Sequence, residues 1–249
     1  MHATDGTKHA PWRDGLPILT LCAALWLWLA SLAWRYTEGA ALAAMIVWLA
    51  LLMTWLAAQI VLSTRHIPER HAEWFSTILQ ALVPTGLTIV VVWGWSDLRH
   101  AALTIATRAS VAELLAVHCL RLAAWGTIAK WKKGELPFYF FLWGSIPDFG
   151  FAVLSIGFTA SVAVGFVHPG DTALVIWSVL GIAAFLGAAV TMYFGVPRSR
   201  IAWRWPRVLN GREPSTLLPF RWPMNLAPAY CGPMFWLAHG LLILKVTAT

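Results

Sequence analysis

The chain has 249 residues, of which 59% are hydrophobic and only 12% are charged. Soluble domains carry roughly 25% charged residues, so this composition excludes an ordinary soluble globular protein and predicts a membrane protein. The formal net charge of +7 would favour a nucleic-acid partner in a soluble chain. Here the basic residues gather in the loops between apolar runs, so we expect membrane lipids as partners and no nucleic acid.

Apolar runs set the expected architecture, because a bilayer core of about 30 Å needs roughly 20 apolar residues per helical span. Seven runs are long enough, near 16–36, 40–63, 74–95, 103–129, 137–167, 172–195 and 222–246. They predict an all-α fold, a polytopic transmembrane bundle of seven spans that forms a single domain over 1–249. A polar tail at 1–15 precedes the first span, and an Arg-rich loop at 196–221 precedes the last.

Four prolines interrupt the third, fifth and seventh runs away from their first residues. They are Pro84, Pro147, Pro228 and Pro233. Proline lacks a backbone N–H and leaves a carbonyl that neighbouring groups must satisfy. We therefore expect kinks or local unwinding in these three spans.

Lysine and arginine counts in alternate loops predict the orientation. With the N-terminus in the cytoplasm, the inside segments hold thirteen of these residues and the outside segments three. The positive-inside rule then places the C-terminus outside, in a cell membrane, which is the inner membrane if the source is a Gram-negative bacterium. Four arginines of the long inside loop are expected to contact anionic lipid headgroups: Arg198, Arg200, Arg204 and Arg207.

The main candidate site is a pair of opposite charges within two neighbouring spans. Arg121 lies 13 residues before Gly134 in the connecting loop, and Asp148 lies 14 residues after it. If both segments are helical, the two side chains share one depth in the membrane. Ionisable residues at such positions usually pair and often mark a functional site. A salt bridge that merely fastens a helical hairpin explains the pair equally well, and both interpretations stay open here.

Further polar residues lie around this pair. At about 100° per residue, Glu113 falls on the same helical stripe as Arg121, with His118 to one side. Glu113 lies about two turns away, so Arg108 would have to neutralise it, or its carboxyl would be protonated and a candidate for proton handling. The predicted intramembrane polar site contains five residues: Glu113, His118, Arg121, Asp148 and His239.

The fifth run carries two contrasting helical faces. Asp148, Ser155 and Thr159 form a polar face, and the opposite face carries Gly157, Ser161 and Gly165 at four-residue spacing. Small residues at this spacing allow close helix packing. We therefore expect this helix to be packed on both sides, centrally in the bundle.

Two stretches together resemble a pattern found in uncharacterised bacterial multi-pass membrane proteins. They are LRLAAWGTIAKWKKGELPFYFFLWGSIPDFGFAV and NLAPAYCGPMFWLAHGLLIL. The resemblance implies no known activity. By motif position it singles out Arg121, Gly134, Pro137, Asp148, Pro228, Pro233 and His239. Its contribution is to join His239 to the Arg121–Asp148 pair as a possible triad.

No sequence motif names a reaction. GxSxG, Walker, GxGxxG and HExxH patterns are missing, and no metal-binding spacing is present, so catalytic residues are unknown and the chain is expected not to be an enzyme. The three cysteines, Cys22, Cys119 and Cys231, lie within apolar runs and form no CxxC pair, so buried, inert thiols are expected in preference to a disulfide or a metal site.

Three functions fit this sequence. The first is a polar intramembrane site that translocates a proton, an ion or a small solute, without a cofactor. The second is a haem-binding or redox membrane subunit, in which His118 and His239 would hold haem b. The third is a non-catalytic subunit or assembly factor that binds another protein or a second copy of the chain.

Overall fold

The computed structural model describes residues 11–71, 77–168, 170–194, 212 and 214–248. All regular elements among them are helical, which confirms the predicted all-α class. The α-helices are α1 (Pro11–Tyr36), α2 (Gly39–Thr64), α3 (Ile67–Arg70), α4 (Thr77–Gly94), α5 (Ser96–Arg108), α6 (Val111–Ala116), α7 (Trp125–Lys132), α8 (Phe138–Phe140), α9 (Ile146–Ala163), α10 (Asp171–Phe194) and α11 (Gly232–Ala248). Short 3₁₀ segments cover Val117–Ala124 and Leu218–Phe220, and π-helical segments cover Phe141–Ser145 and Ala227–Cys231.

Six stretches of helix are long and apolar enough to cross a membrane, as expected of an integral membrane protein. They are Gly15–Tyr36, Gly39–Thr64, Val111–Lys132, Phe138–Ala163, Asp171–Met192 and Ala227–Ala248. Helices α4 and α5 qualify only as a pair bent by 103°. Within the described residues there are thus six candidate spans, or seven if the bent pair is one broken span. The seven-span count and the orientation of the termini stay predictions.

The fourth predicted run, 103–129, is wrong at its N-terminal end. Helix α5 ends at Arg108, Ala109 is extended, and the span begins at Val111. The break has a local cause, because the Ser110 hydroxyl accepts a hydrogen bond from the backbone N–H of Glu113 while the Glu113 carboxylate accepts one from the backbone N–H of Ser110. This reciprocal capping box satisfies two N–H groups that a helix start leaves unpaired.

Helix α5 packs against α2, α4 and α11, and its Leu98 and Ile105 side chains are buried. The C-terminal end of α5 is held by Lys245, which lies near the end of α11. The Lys245 ammonium donates hydrogen bonds of 2.8–3.1 Å to the backbone carbonyls of Ala106, Thr107 and Ala109. A cation is favourable there, because the last carbonyls of a helix carry partial negative charge.

The predicted proline interruptions take different forms. Helix α4 continues through Pro84, and the Thr88 hydroxyl donates to the Pro84 carbonyl at 2.7 Å. Pro147 is the second residue after one π-helical segment, Pro228 lies within the other, and Pro233 is the second residue after that one. A π-helical turn absorbs an extra residue and recurs at functional sites. Both π-helical segments lie beside the candidate site.

The prediction that the small face of α9 packs inside the bundle is wrong. A Cβ atom added to Gly157 or Gly165 would meet nothing within 4 Å, and both glycines are exposed. The opposite face turns inward, with Ser155 fully buried. A helix at the edge of a bundle has one inward face, and the polar residues occupy it because only there do they find partners.

Candidate functional site

Three irregular helical segments surround the predicted charge pair. Arg121 lies within the 3₁₀ segment Val117–Ala124, Asp148 follows the first π-helical segment, and Ala227–Cys231 forms the second. In a 3₁₀ helix, side chains three residues apart lie on the same side. His118 and Arg121 therefore face the same neighbours, instead of pointing in directions that differ by the 60–80° expected for an α-helix.

The structure brings Arg121 and Asp148 together. Arg121 Nε donates a hydrogen bond to Asp148 Oδ1 at 2.6 Å, and Nη2 lies 2.5 Å from the same oxygen in an ion pair. The two terminal nitrogens of the guanidinium also donate to the Gly181 carbonyl, each at 3.2 Å. The Arg121 side chain is 0% exposed, whereas the Asp148 side chain is 18% exposed. The Arg121 guanidinium is thus enclosed and donates one hydrogen bond from each of its three nitrogens, whereas the Asp148 side chain is partly exposed.

Aromatic rings complete the surroundings of Arg121. The guanidinium carbon lies 4.0 Å from the ring centre of Phe185, 4.4 Å from that of Phe151 and 5.8 Å from that of Phe235. A guanidinium is attracted to the electron-rich face of such rings, most strongly where water is excluded. These contacts offset part of the lost hydration and hold Arg121 in one position.

A cavity of about 520 Å³ opens on one side of the charge pair. Its wall runs from Lys130 and Pro223 at one end to Arg121 and Asp148 near the middle of their spans, and most of the wall is apolar. Both contacts from Arg121 fall on Asp148 Oδ1, and the described residues make no polar contact with Oδ2. The cavity therefore offers a largely apolar volume and a carboxylate oxygen with unused hydrogen-bonding capacity.

Two further polar side chains lie on the wall beside the pair. The Thr127 hydroxyl donates to the Ser145 hydroxyl at 2.7 Å, and both residues line the cavity. Lys130, at the far end of the wall, pairs with Glu135 at 2.8 Å. Lys130 is thus already neutralised at the cavity mouth.

His118 and His239 form a buried stack next to the pair. Their ring centres are 4.0 Å apart with an angle of 22° between the planes, and both residues are fully buried. None of their four ring nitrogens has a hydrogen-bond partner within the part of the chain that the structure describes. The rings would have to separate before a porphyrin could lie between them, so the haem alternative stays a prediction.

Gly181 connects His239 with the charge pair. A Cβ atom at this position would fall well inside contact distance of His239 Nε2 and 2.8 Å from Phe151. The absence of a side chain therefore lets the histidine pack directly on the backbone whose carbonyl binds Arg121. His239, which the sequence grouped with the charge pair, thus contacts the Gly181 backbone, and among the described residues it forms no hydrogen bond to Arg121 or Asp148.

Glu113 lies in a different cluster. Its carboxylate pairs with Arg35 at 2.5 Å and accepts a hydrogen bond from the Tyr36 hydroxyl at 2.7 Å. The expectation that Arg108 is its partner is wrong, because Arg108 ends a separate helix while Arg35 ends α1 beside the start of α6. Glu113 is charge-paired at the end of the bundle and does not belong to the site around Arg121.

The remaining predicted contacts lie elsewhere in the chain. The four arginines expected to bind lipid headgroups, Arg198, Arg200, Arg204 and Arg207, lie outside the described residues. Among residues that are described, no group of three or more His, Cys, Asp or Glu side chains could hold a metal ion. The expectation that the chain needs no metal or cofactor stays a prediction.

Sequence reasoning missed Gly181, Phe185 and Phe235. They come from two other spans and reach Arg121 only in the folded bundle. A glycine inside an apolar helix is a weak signal of close packing, and Gly181 was the one detectable hint. The aromatic residues carry no local signal.

Comparison with known proteins adds no relative. No protein-family model matches the chain, no curated protein matches it, and no solved structure matches it.

Proposed function

We propose that this chain binds a small amphipathic solute in the cavity beside the Arg121–Asp148 pair and moves it within or across the membrane. The observation that carries the proposal is the asymmetry of the pair. Arg121 is enclosed by its partners, whereas Asp148 lies on the cavity wall with Oδ2 unengaged by any described residue. A charge pair that only fastened two helices would be favoured by having both partners fully satisfied.

The wall suggests the chemistry of the solute. Its apolar lining favours an apolar body, and Asp148 Oδ2 favours a head group that donates a hydrogen bond. A hydroxyl or ammonium head group meets this requirement, whereas a carboxylate or phosphate would face the carboxylate of Asp148. A proton exchanged at Asp148 could accompany the solute, since that carboxylate reaches the cavity.

The test compares three ten-carbon probes that differ only in their head groups: decanol, decylamine and decanoate. Their binding to the purified protein in detergent is measured from the shift of the unfolding midpoint over a concentration series. We expect decylamine and decanol to bind more tightly than decanoate. A hydrogen bond to a charged group contributes about 1.5–3 kcal/mol, so Asp148→Asn should weaken decylamine binding roughly 10- to 100-fold.

Asp171→Asn is the matched control, because Asp171 lies in the first turn of α10, is exposed and does not line the cavity. This variant should bind decylamine as the unmodified chain does. Equal binding of all three probes, or an Asp148→Asn variant that binds decylamine undiminished, would contradict the proposal. Failure of Asp148→Asn to accumulate in the membrane would favour a purely structural salt bridge.

The other two functions keep separate tests. A haem subunit would show a Soret band in the absorption spectrum of the purified protein. An assembly factor or subunit would co-purify with a stoichiometric partner.

A further inference from the structure

Two of the three cysteines face each other across the bundle. Cys22 lies on α1 and Cys231 ends the second π-helical segment, 209 residues later, yet their Sγ atoms are 3.6 Å apart. Both residues are buried. The third cysteine, Cys119, lies 4.0 Å from the Thr159 hydroxyl instead. The sequence predicted three inert thiols, and the fold converts two of them into a pair.

The pair is close enough to form a covalent bond after a small movement. A disulfide has an S–S distance of about 2.05 Å, so the sulfurs must approach by roughly 1.5 Å.

One member of the pair can be reached from the cavity. Cys231 lines the same wall as Arg121 and is flanked there by Phe235 and Trp236. Because this wall is mostly apolar, an oxidant that enters it must be soluble in lipid. It must also accept two electrons and two protons. A quinone meets both requirements, with an apolar ring and two carbonyl oxygens that take up the electrons and protons.

We propose that Cys22 and Cys231 are a redox-active dithiol that a quinone bound in the cavity oxidises to a disulfide. In this step both S–H bonds break and one S–S bond forms between the two sulfurs. Two electrons and two protons pass to the two carbonyl oxygens of the quinone, which leaves as a hydroquinone. The inference shares the cavity with the proposed function, but it does not depend on the head-group preference of Asp148.

The test counts free thiols in the full-length protein. The chain, reduced and freed of reductant under anaerobic conditions, is mixed with a decyl-substituted, fully substituted benzoquinone, which oxidises thiols but has no free ring position for their addition. After denaturation, free thiols are alkylated and the intact mass is measured. We expect the three free cysteines to fall to one, with a peptide that links Cys22 to Cys231 and one hydroquinone formed per chain.

Two variants act as controls. Cys119→Ala should lose both remaining thiols on oxidation, because the reacting pair is intact. Cys22→Ala should keep both of its thiols and consume no quinone. Since the main result comes from the unmodified chain, it does not depend on the folding of either variant.

Copper-phenanthroline, which oxidises neighbouring thiols without occupying a quinone site, separates the two parts of the proposal. A disulfide formed with this reagent but not with the quinone would overturn the quinone as oxidant. Three free thiols after both treatments would overturn the dithiol itself. Closure by the quinone, together with equal binding of the three ten-carbon probes, would uphold this inference and reject the proposed role of Asp148.

Discussion

Among the described residues, two arginine–carboxylate pairs join candidate spans, and their surroundings differ. Arg121 and Asp148 meet near the middle of their spans, with side chains that are 0% and 18% exposed. Arg35 and Glu113 meet at the end of the bundle, with side chains that are 49% and 27% exposed. The first pair lies between a 3₁₀ and a π-helical segment and borders a cavity, whereas the second is built into a regular capping box.

The comparison shows that two ion pairs of the same kind differ in burial and in the local geometry of the helices that carry them. In the Arg35–Glu113 pair, the Glu113 carboxylate accepts a hydrogen bond from a backbone N–H at the start of α6. Both side chains are exposed enough for water to replace either partner. The central pair lies near the middle of two candidate spans, where the Gly181 carbonyl and three aromatic rings contact Arg121. Asp148 is held by Arg121 and also lines the cavity, so its carboxylate is placed where it can contact a solute.

The largest expected effect comes from removing Arg121. Arg121→Met leaves the partly buried Asp148 without its counter-charge, and breaking a buried pair costs up to about 3–5 kcal/mol. The free energy of unfolding in detergent should fall by this amount. The double variant Arg121→Met/Asp148→Leu should recover most of that loss, since it removes both charges, but it should not recover decylamine binding.

Arg35→Met is the matched comparison at the other pair. An exposed ion pair contributes about 0–1 kcal/mol, so this variant should be nearly as stable as the unmodified chain and should bind decylamine normally. Equal destabilisation by Arg35→Met and Arg121→Met would remove the distinction between the two pairs.

A smaller effect is expected at Gly181. In Gly181→Ala the new methyl group collides with His239 and Phe151 and displaces the carbonyl that binds Arg121. Overpacking of this kind costs about 1–3 kcal/mol, measurable as a lower free energy of unfolding. Gly157→Ala is the control, because a Cβ there meets nothing within 4 Å and a helical Ala is preferred to Gly by about 0.5–1 kcal/mol. If Gly181→Ala were as stable as Gly157→Ala, the close packing of His239 on this backbone would be wrong.

Much of the fold could be predicted from apolar runs, because a span must satisfy its own backbone and needs a minimum length. The break before Val111 could also be predicted, since Ser110 and Glu113 have the S-x-x-E spacing of a capping box. The apolar residues on both sides of this break make 103–129 look like one continuous run. The exposure of the small-residue face of α9 could not be predicted. Small residues at four-residue spacing permit close helix packing, but they do not show that a neighbouring helix is present.

The site was predictable only in part. The shared depth of Arg121 and Asp148 followed from counting along a helical hairpin, and the two side chains do meet. The stack of His118 on His239, the carbonyl of Gly181 and the proximity of Cys22 to Cys231 all join residues of separate spans. No local pattern specifies such contacts, which depend on how helices rotate and pack. The pairing of Glu113 with Arg35 was missed for the same reason.

The central claim, that the Arg121–Asp148 pair borders a cavity open to small solutes, is tested most directly by thiol labelling. Thr127→Cys places a thiol on the cavity wall, and Ser155→Cys places one on the same inward side of the bundle but away from the cavity. Both variants are made in a background with the native cysteines replaced by alanine, and both are labelled in nanodiscs with a small methanethiosulfonate reagent. The account predicts that the Thr127→Cys variant reacts, that decylamine slows this reaction, and that the Ser155→Cys variant stays unlabelled. Equal labelling of both variants, no labelling of Thr127→Cys, or labelling indifferent to decylamine would contradict it.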